Sequence, residues 1–338
     1  MAEIKNLLYG ENAPQTPALF EPDPECDDPL SLARFQLVAG TDPSYNNLCD
    51  LDRMLQTKTH IDEGRHVNHL SGGYVSVAVK HGNPCGAAVS YIASESIERM
   101  VEGDLLAIHG GLVILDFYVR EEHAELLLTH KQPEGKRRLL DGIAAAGFDQ
   151  DSIRLLQRKG DKCRFLANEA LTEREGWLDQ RRRFRYVRGG RLTQPNYTYV
   201  PKFGTLEWVN GEPHDSIIEN FVLAWAIGCT SNSNTITLVK DEMLIGNGVG
   251  QQDRVMAAEL AVRKAQRAGH DINGAVAYSD SFFPYPDAPK ILMDAGVKAI
   301  FTSSGSITGD KPLKELAKER GVVLCMVPDK EGRGFYGH

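Results

Sequence analysis

The residues most suited to chemistry in this chain are Lys80-His81-Gly82-Asn83-Pro84-Cys85-Gly86, which follow directly on the apolar, β-rich run Tyr74–Val79. A lysine ammonium steadies developing negative charge, and a positioned histidine is the usual general base near neutral pH. A Lys-His pair alone is an ordinary surface turn. The compact Gly-Asn-Pro-Cys-Gly sequence behind it argues for a built one, at the carboxyl end of a strand where open α/β sheets bind ligands. A second run, Ile245-Gly246-Asn247-Gly248-Val249-Gly250-Gln251-Gln252-Asp253-Arg254, is expected between a strand and a helix. Glycines at alternate positions let backbone approach a ligand, and a helix N-terminus favours anions. A third, Ser279-Asp280-Ser281-Phe282-Phe283-Pro284-Tyr285-Pro286-Asp287, places aromatic rings beside carboxylates. That combination suits a flat heteroaromatic ligand, although an aromatic core turn would look the same. The small, cationic and aromatic tail Gly332-Arg333-Gly334-Phe335-Tyr336-Gly337-His338 is expected to fray, as chain ends do.

The elements that must position these residues alternate along the chain. Apolar Leu48, Leu51, Met54 and Leu55 predict a helix over 44–59, followed by strand 74–79, a helix over 88–101 and strand 112–115. Helix 120–130, strand 139–144, helix 150–159 and strand 163–166 complete a first set. A second set repeats the rhythm: helix 215–227, strand 235–239, helix 251–268, strand 275–279, helix 287–295, strand 298–302, helix 311–320 and strand 322–327. An arginine-rich segment around 181–200 reads as a β-hairpin between the sets. The reading is therefore an α/β protein of two tandem halves related by pseudo-duplication. Its segments are an extended arm over 1–30, a first half over 31–180 with the Lys-His run, a connection over 181–213, and a second half over 214–338.

Composition narrows the function. The chain has 338 residues, 42% of them hydrophobic and 25% charged, with a formal net charge of −8, which is globular and excludes a generic nucleic-acid backbone binder. No apolar run approaches the ~20 residues needed to span a bilayer. Met1-Ala2-Glu3-Ile4-Lys5 lacks the plan of a signal peptide, so a cytoplasmic protein is expected. The six cysteines are scattered without a CxxC pair. Cys85 follows a proline as in a zinc deaminase's P-C-x-x-C, but Ala88 stands where the second cysteine would be, so neither zinc nor any other metal ligand set is read from the sequence. From Gly248 the dinucleotide fingerprint requires glycine at 253, which is Asp253, and no Walker A sequence occurs. Nicotinamide and nucleoside triphosphate cofactors are unsupported.

Taken together, these runs resemble AICAR transformylase, the folate-dependent formyl transferase of late purine biosynthesis. In most organisms it forms the C-terminal part of a bifunctional protein with IMP cyclohydrolase. The likeness extends over Leu8-Tyr9-Gly10-Glu11-Asn12, Asn46-Asn47-Leu48, Lys80 to Gly86, Asp104 to Gly111, Val187-Arg188-Gly189-Gly190, Ser233-Asn234, the glycine run to Arg254, Ser279 to Asp287, Gly305-Ser306 and the Arg333/Phe335 tail. The resemblance implies two cytidine-deaminase-like α/β/α layers without zinc. It also implies a homodimer with active sites at the interface, and a separate IMP cyclohydrolase for the next step, with no nucleic-acid or membrane partner.

In that family the 5-amino group of AICAR attacks the formyl carbon of 10-formyltetrahydrofolate, giving formyl-AICAR and tetrahydrofolate. The resemblance implies His81 as proton acceptor, Lys80 as transition-state stabiliser and Asn234 as the group that orients the reactants. It implies Tyr9, Gly10, Gly110, Asp141, Arg254, Phe282, Arg333 and Phe335 on the nucleotide, and Val255, Pro284, Asp287, Ser306 and Ile307 on the folate. A structural potassium ion near Asp280 belongs to the same expectation. The chain also departs from the family. Leu8 replaces an arginine that grips the substrate phosphate, leaving Lys5 or Arg191 as substitutes or a reorganised phosphate site. Pro286 stands at a usual arginine, Ile108-His109 replaces the common aromatic step before Gly110, and an extra glycine shifts His338 one position past the usual terminal histidine. Leu8 and the altered tail leave open a non-catalytic purine-nucleotide sensor or partner subunit, and a third reading is a formyl transferase using free formate or another donor.

Overall fold

In a computed structural model, residues 5–174 and 178–338 are described. Of the N-terminal stretch read against a signal peptide, Met1 to Ile4 lie outside them. The arm forms a small antiparallel pair, β1 (Lys5–Leu7) and β2 (Ala18–Phe20). Next come β3 (Gln36–Ala39), α1 (Tyr45–Val67), β4 (Tyr74–Lys80), β5 (Asn83–Ser90), α2 (Ala93–Glu102), β6 (Leu112–Val119), α3 (Glu121–Thr129), β7 (Gly142–Phe148), α4 (Gln150–Leu156) and β8 (Arg164–Ala167). The arginine-rich segment is a separate hairpin of β9 (Arg182–Val187) and β10 (Gly190–Pro195). The rest comprises β11 (Glu207–Val209), α5 (Asp215–Cys229), β12 (Ile236–Lys240), β13 (Met243–Gly248), α6 (Arg254–Ala268), β14 (Val276–Ser279), α7 (Asp287–Asp294), β15 (Ala299–Ser304), α8 (Asp310–Arg320), β16 (Val323–Pro328) and the short α9 (Asp329–Gly332).

Twelve of these strands form one mixed sheet in the order β11-β16-β15-β14-β12-β13-β5-β4-β6-β7-β8-β3. Helices α1 and α5 lie together on one face, and their core joins Leu51, Met54 and Ile61 of α1 to Phe221, Trp225 and Ile227 of α5. On the other face α2 and α3 cover the first half around Ile97, Met100 and Leu127, while α6, α7 and α8 cover the second around Ala258, Leu292 and Leu313. Helix α1 starts at a capping box. Ser44 Oγ accepts the Asn47 amide, and Asn47 Oδ1 accepts the Ser44 amide at 2.9 Å.

Strand directions decide where the loops gather. Strands β4 and β13 both run antiparallel to β5, and β14 runs antiparallel to β12, as β13 does. Strands β4, β13, β14, β15 and β16 therefore point one way, while β5, β6, β7, β8 and β12 point the other. The carboxyl ends of the first group and the amino ends of the second share one edge of the sheet.

Two expected elements differ. The helix over 88–101 is two elements, strand β5 ending at Ser90 and helix α2 starting at Ala93. β5 is buried on both faces, so it lacks the alternation that marks a half-exposed strand. Pro84 is tolerated because it lies at a register shift opposite Ala78/Val79. Of the glycine run, expected as a ligand loop, Gly246 and Gly248 lie in strand β13 and only Gly250 is in the loop that follows. A Cβ on Gly246 would lie 2.4 Å from the Ala261 carbonyl oxygen, and one on Gly248 2.1 Å from that of Ala257. These glycines let helix α6 lie close on β13. Gly86 does the same under α2, where a Cβ would meet the Met100 carbonyl oxygen at 2.2 Å.

Candidate active site

Lys80 is the last residue of β4 and pairs with Asn83 across a two-residue turn, His81-Gly82. Both turn residues have positive φ, 53° at His81 and 71° at Gly82, the backbone that tight antiparallel hairpins require. Glycine adopts it freely; histidine pays about 1 kcal/mol or more for a left-handed backbone, a strain common at functional sites. The turn is braced from α1, where Asp50 Oδ1 accepts the Gly82 amide at 2.7 Å. Burial pushes the Asp50 carboxyl above its ordinary range, against the Gly82 amide and the nearby His81, which pull it down. Lys80 Nζ donates to the His109 carbonyl at 2.5 Å, beside Gly110, whose φ of 73° calls for glycine. Gly110 in turn donates to the Leu139 carbonyl at 2.7 Å, and Asp141 to that of Gly111 at 3.0 Å. Lys80, Gly110 and Asp141 are thus joined through neighbouring backbone. The Asp141 carboxylate is engaged by Arg158 at 2.7 Å.

The second cluster gathers around the loop before β12, with Arg254 from the start of α6 and Asp280 from just past the end of β14. Arg254 donates through Nη1 to Asn234 Oδ1 at 2.6 Å and through Nη2 to Asp280 Oδ1 at 3.1 Å. Ser233 Oγ donates to the other Asp280 oxygen at 2.6 Å. Burial raises the Asp280 carboxyl pKa, with Arg254 and Ser233 opposing it. The side-chain amide of Asn234 donates to the Gln251 carbonyl at 2.9 Å, so its carbonyl end faces a cation and its amide end is held. Asn83, two residues past His81, accepts the Asn232 amide at 3.1 Å and ties the two clusters together. Asn247, inside the glycine run, adds a buried link by donating to the Pro84 carbonyl at 3.1 Å and to Ser231 Oγ at 3.2 Å.

Beyond β14 and β15, the loops 281–287 and 305–309 meet. Thr308 Oγ1 donates to the Pro284 carbonyl at 3.2 Å, and the Gly309 amide to Ser306 Oγ at 2.9 Å. Phe283 is buried and Phe282 half-buried, Asp287 is exposed at the start of α7, and Ile307 is fully exposed. Arg333 lies 3.5 Å from Asp329, which also accepts from Ser281 and Ser303. Lys80, His81, Gly110, Asp141, Asn234, Arg254, Phe282, Pro284, Asp287, Ser306, Ile307 and Arg333 all fall on loops or element ends at one edge of the sheet. Val255 packs against the second-half core from the first turn of α6. Tyr9 and Gly10 belong to the arm, where the Tyr9 carbonyl accepts the Tyr45 amide at 3.0 Å. Leu8 is half exposed, Lys5 lines a cleft under the arm, and Arg191 sits on the exposed hairpin with its guanidinium 5.9 Å over Phe184.

The tail does not fray. Tyr336 donates its amide to the Ser231 carbonyl at 2.9 Å, Ser233 donates to that of Gly337 at 3.0 Å, and Gly334 lies against the Tyr197 ring. Phe335 follows Gly334 on this pinned segment, its ring 5.8 Å from that of His338. A chain end frays when nothing holds its backbone, and here a parallel bridge between Asn232 and Gly337 does. A cleft of about 360 Å³ opens beside the Lys-His turn, lined by Asp52, Arg53, Gly82 and Tyr336 with Leu7, Phe20, Tyr45 and Leu48. Sequence reasoning missed Asp50, Asp52, Arg53 and Tyr336. The available signal was three charged residues within four positions of α1.

Among the described residues, no helix is long and apolar enough to cross a membrane, and no three His, Cys, Asp or Glu side chains converge as a metal site.

Comparison with known proteins follows the same residues. The chain is 33% identical over 323 residues to the bifunctional purine biosynthesis protein PurH of Anoxybacillus flavithermus, covering 95% of this chain and 57% of the relative. It is 30% identical over 324 residues to PurH of Bacillus subtilis, with the same coverage of 95% and 57%. It therefore spans little more than half the length of these curated relatives. A dCMP deaminase of the cyanophage S-TIM5 overlaps 28% of this chain and 79% of its own at 18% identity and a TM-score of 0.21, too slight to argue from. The sequence model described as AICARFT/IMPCHase bienzyme matches residues 1–264, and with these relatives it shows that the chain belongs to the AICARFT/IMPCHase bienzyme family.

Proposed function

We propose that this chain transfers the formyl group of 10-formyltetrahydrofolate to the 5-amino group of AICAR in purine biosynthesis. The observation that carries the reading is the single sheet edge where the Lys80-His81 turn and the Asn234–Arg254 pair are tied by the Asn83–Asn232 hydrogen bond. The amine nitrogen of AICAR forms a bond to the formyl carbon while the bond from that carbon to folate N10 breaks. His81 takes the amine proton, and a proton returns to N10. The formyl oxygen becomes negative in between, and Lys80 is the cation assigned to it. A donor of this kind is worth about 3 kcal/mol, or ~100-fold in rate. The second N–H of the Asn234 amide, the one not given to the Gln251 carbonyl, orients the reactants while Arg254 fixes the carbonyl end.

Tyr9, Gly10, Gly110, Asp141, Arg254, Phe282, Arg333 and Phe335 are assigned to the nucleotide, and Val255, Pro284, Asp287, Ser306 and Ile307 to the folate. For the folate, the support is the meeting of the 281–287 and 305–309 loops. Both oxygens of Asp280 are engaged by Arg254 and Ser233, and the guanidinium repels a second cation. No step is therefore routed through potassium. The two six-stranded runs of the sheet share one pairing order, which supports a pseudo-duplicated, deaminase-like fold acting as one catalytic unit over segments 1–30, 31–180, 181–213 and 214–338. A cytoplasmic homodimer with a separate cyclohydrolase completes the reading.

The test mixes protein, AICAR and 10-formyltetrahydrofolate with added IMP cyclohydrolase and follows tetrahydrofolate release. Turnover abolished by His81→Ala and strongly reduced by Lys80→Ala is expected. No turnover, or full activity in His81→Ala, overturns the reading. Nucleotide binding without folate binding in calorimetry would point instead to a non-catalytic purine-nucleotide sensor, which the loss of the family arginine at Leu8 would suit.

A further inference from the structure

We propose that Tyr336 is a positioning residue that locks the loop carrying Asn234 by clamping the C-terminal tail between two guanidinium groups. Its ring has Arg53 of α1 with Cζ at 3.5 Å from the centroid and Arg183 of β9 with Cζ at 3.6 Å. Two guanidinium groups cannot occupy one face of a ring at that height, so they take opposite faces. A ring quadrupole attracts a cation over either face, and the attraction is stronger away from water. The phenol donates to Asp52, whose carboxylate also offsets the two cations. Ring and hydroxyl together hold the tail to α1 and to the β9–β10 hairpin.

The same few residues hold the Asn234 loop. Tyr336 donates its amide to Ser231, and Ser233 donates to Gly337 at 3.0 Å. Arg53, stacked on the ring, donates to the Thr230 carbonyl at 2.5 Å. Arg183, on the other face, donates to the Tyr336 carbonyl at 3.2 Å. The loop 230–233 is thus fastened by the clamped tail and by one jaw of the clamp. Asn234 follows directly, with its carbonyl on Arg254. Among the described residues Tyr336 makes no hydrogen bond to Lys80, His81 or Asn234, so it acts through the loop. Removing the ring would leave Arg53 and Arg183 facing each other with no partner between them, and the tail free to lift.

The inference rests on the formyl-transfer reading for its kinetic arm only. Tyr336→Leu removes both faces and the hydroxyl; Tyr336→Phe keeps both faces. Hydrogen exchange across residues 230–236 is measured for the wild type and each variant, without substrate. Faster exchange in Tyr336→Leu, with protection largely kept in Tyr336→Phe, is expected. Formyl transfer is then measured for Tyr336→Leu, Asn234→Ala and the double variant. Tyr336→Leu is expected to lower kcat at least tenfold, and to have little further effect in the Asn234→Ala background, because both changes act on one group. Unchanged exchange in Tyr336→Leu overturns the proposal. So do additive losses in the double variant, or a lowered melting temperature with kcat unchanged. A wild type without turnover overturns the formyl-transfer reading, and the exchange comparison then decides the clamp alone. If Tyr336→Leu does not fold, the comparison falls to Tyr336→Phe, for which exchange well above wild type shows that the hydroxyl rather than the ring sandwich holds the tail and overturns the clamp.

Discussion

Asp50 and Gly82 meet across the interface between α1 and the β4–β5 hairpin, the carboxylate accepting the turn amide at 2.7 Å. The histidine proposed as base therefore rides on a turn that a half-buried acid holds from below. An amide left without its acceptor there costs about 1–3 kcal/mol. Asp50→Ala is expected to lower kcat/KM for formyl transfer by about tenfold. Asp50→Asn, which keeps an acceptor oxygen, should recover most of it. Steady-state kinetics on the two variants checks this, and an Asp50→Ala enzyme with wild-type kcat/KM contradicts it.

Arg254 serves Asn234 and Asp280 with separate nitrogens, at 2.6 and 3.1 Å. A lysine has one ammonium and no fork, so Arg254→Lys can keep the charge beside Asp280 without holding both partners. Losing one charge-assisted hydrogen bond is worth about 1.5–3 kcal/mol, or about 10- to 150-fold in rate. The expected result is that loss in kcat with a melting temperature within a few degrees of wild type.

Gly248 packs against the backbone of α6, where a Cβ would lie 2.1 Å from the Ala257 carbonyl oxygen. Backbone cannot step aside as a side-chain tip can, so Gly248→Ala should destabilise by about 1–3 kcal/mol or more. A ligand-binding loop would instead tolerate alanine in the fold and raise KM. Urea unfolding, read with KM for the folded fraction, separates the two.

A buried ionic cluster lies away from the site. Lys58 pairs with Asp62 at 2.7 Å, and Asp116, 3.8 Å from Arg174, has an oxygen without a hydrogen-bond partner among the described residues. Burial pushes the Asp62 carboxyl up to about 6 and that of Asp116 up to about 7, the latter also raised by Asp62. An acid whose pKa is higher folded than unfolded keeps its proton longer in the folded chain. Its contribution thus favours folding at low pH and is lost as pH rises from its unfolded pKa to its folded one. Asp116→Asn removes that loss while keeping an oxygen for the Val75 amide, which Asp116 accepts at 2.9 Å. The variant should melt above wild type at pH 7.5, by an amount worth a few kcal/mol at most, with the difference shrinking toward pH 4. Thermal melts across that range test the sign.

Much of the local structure was legible in the residues. Ser44 with Asn47 marks the start of α1, Gly269 and Gly321 close α6 and α8 in left-handed conformations, and the arginine-rich segment is the expected hairpin. Lys80-His81 stands out by type and spacing alone. Periodicity failed at β5 and β13. Strands buried on both faces and faced by close-packed helices are built of small residues, and those look like helix or loop.

The sequence by itself determined most of the helices and strands, and that Lys80 and His81 are residues to watch. Those features are local, set by backbone sterics and by which face of an element must leave water. Only the tertiary structure decided that the parallel strands of the two halves run in opposite senses, so that amino ends from the first and carboxyl ends from the second line one edge. It also decided that Tyr336 lies between Arg53 and Arg183. Strand direction in the sheet and contacts between residues hundreds of positions apart follow from packing whole elements together, and no local pattern carries that information.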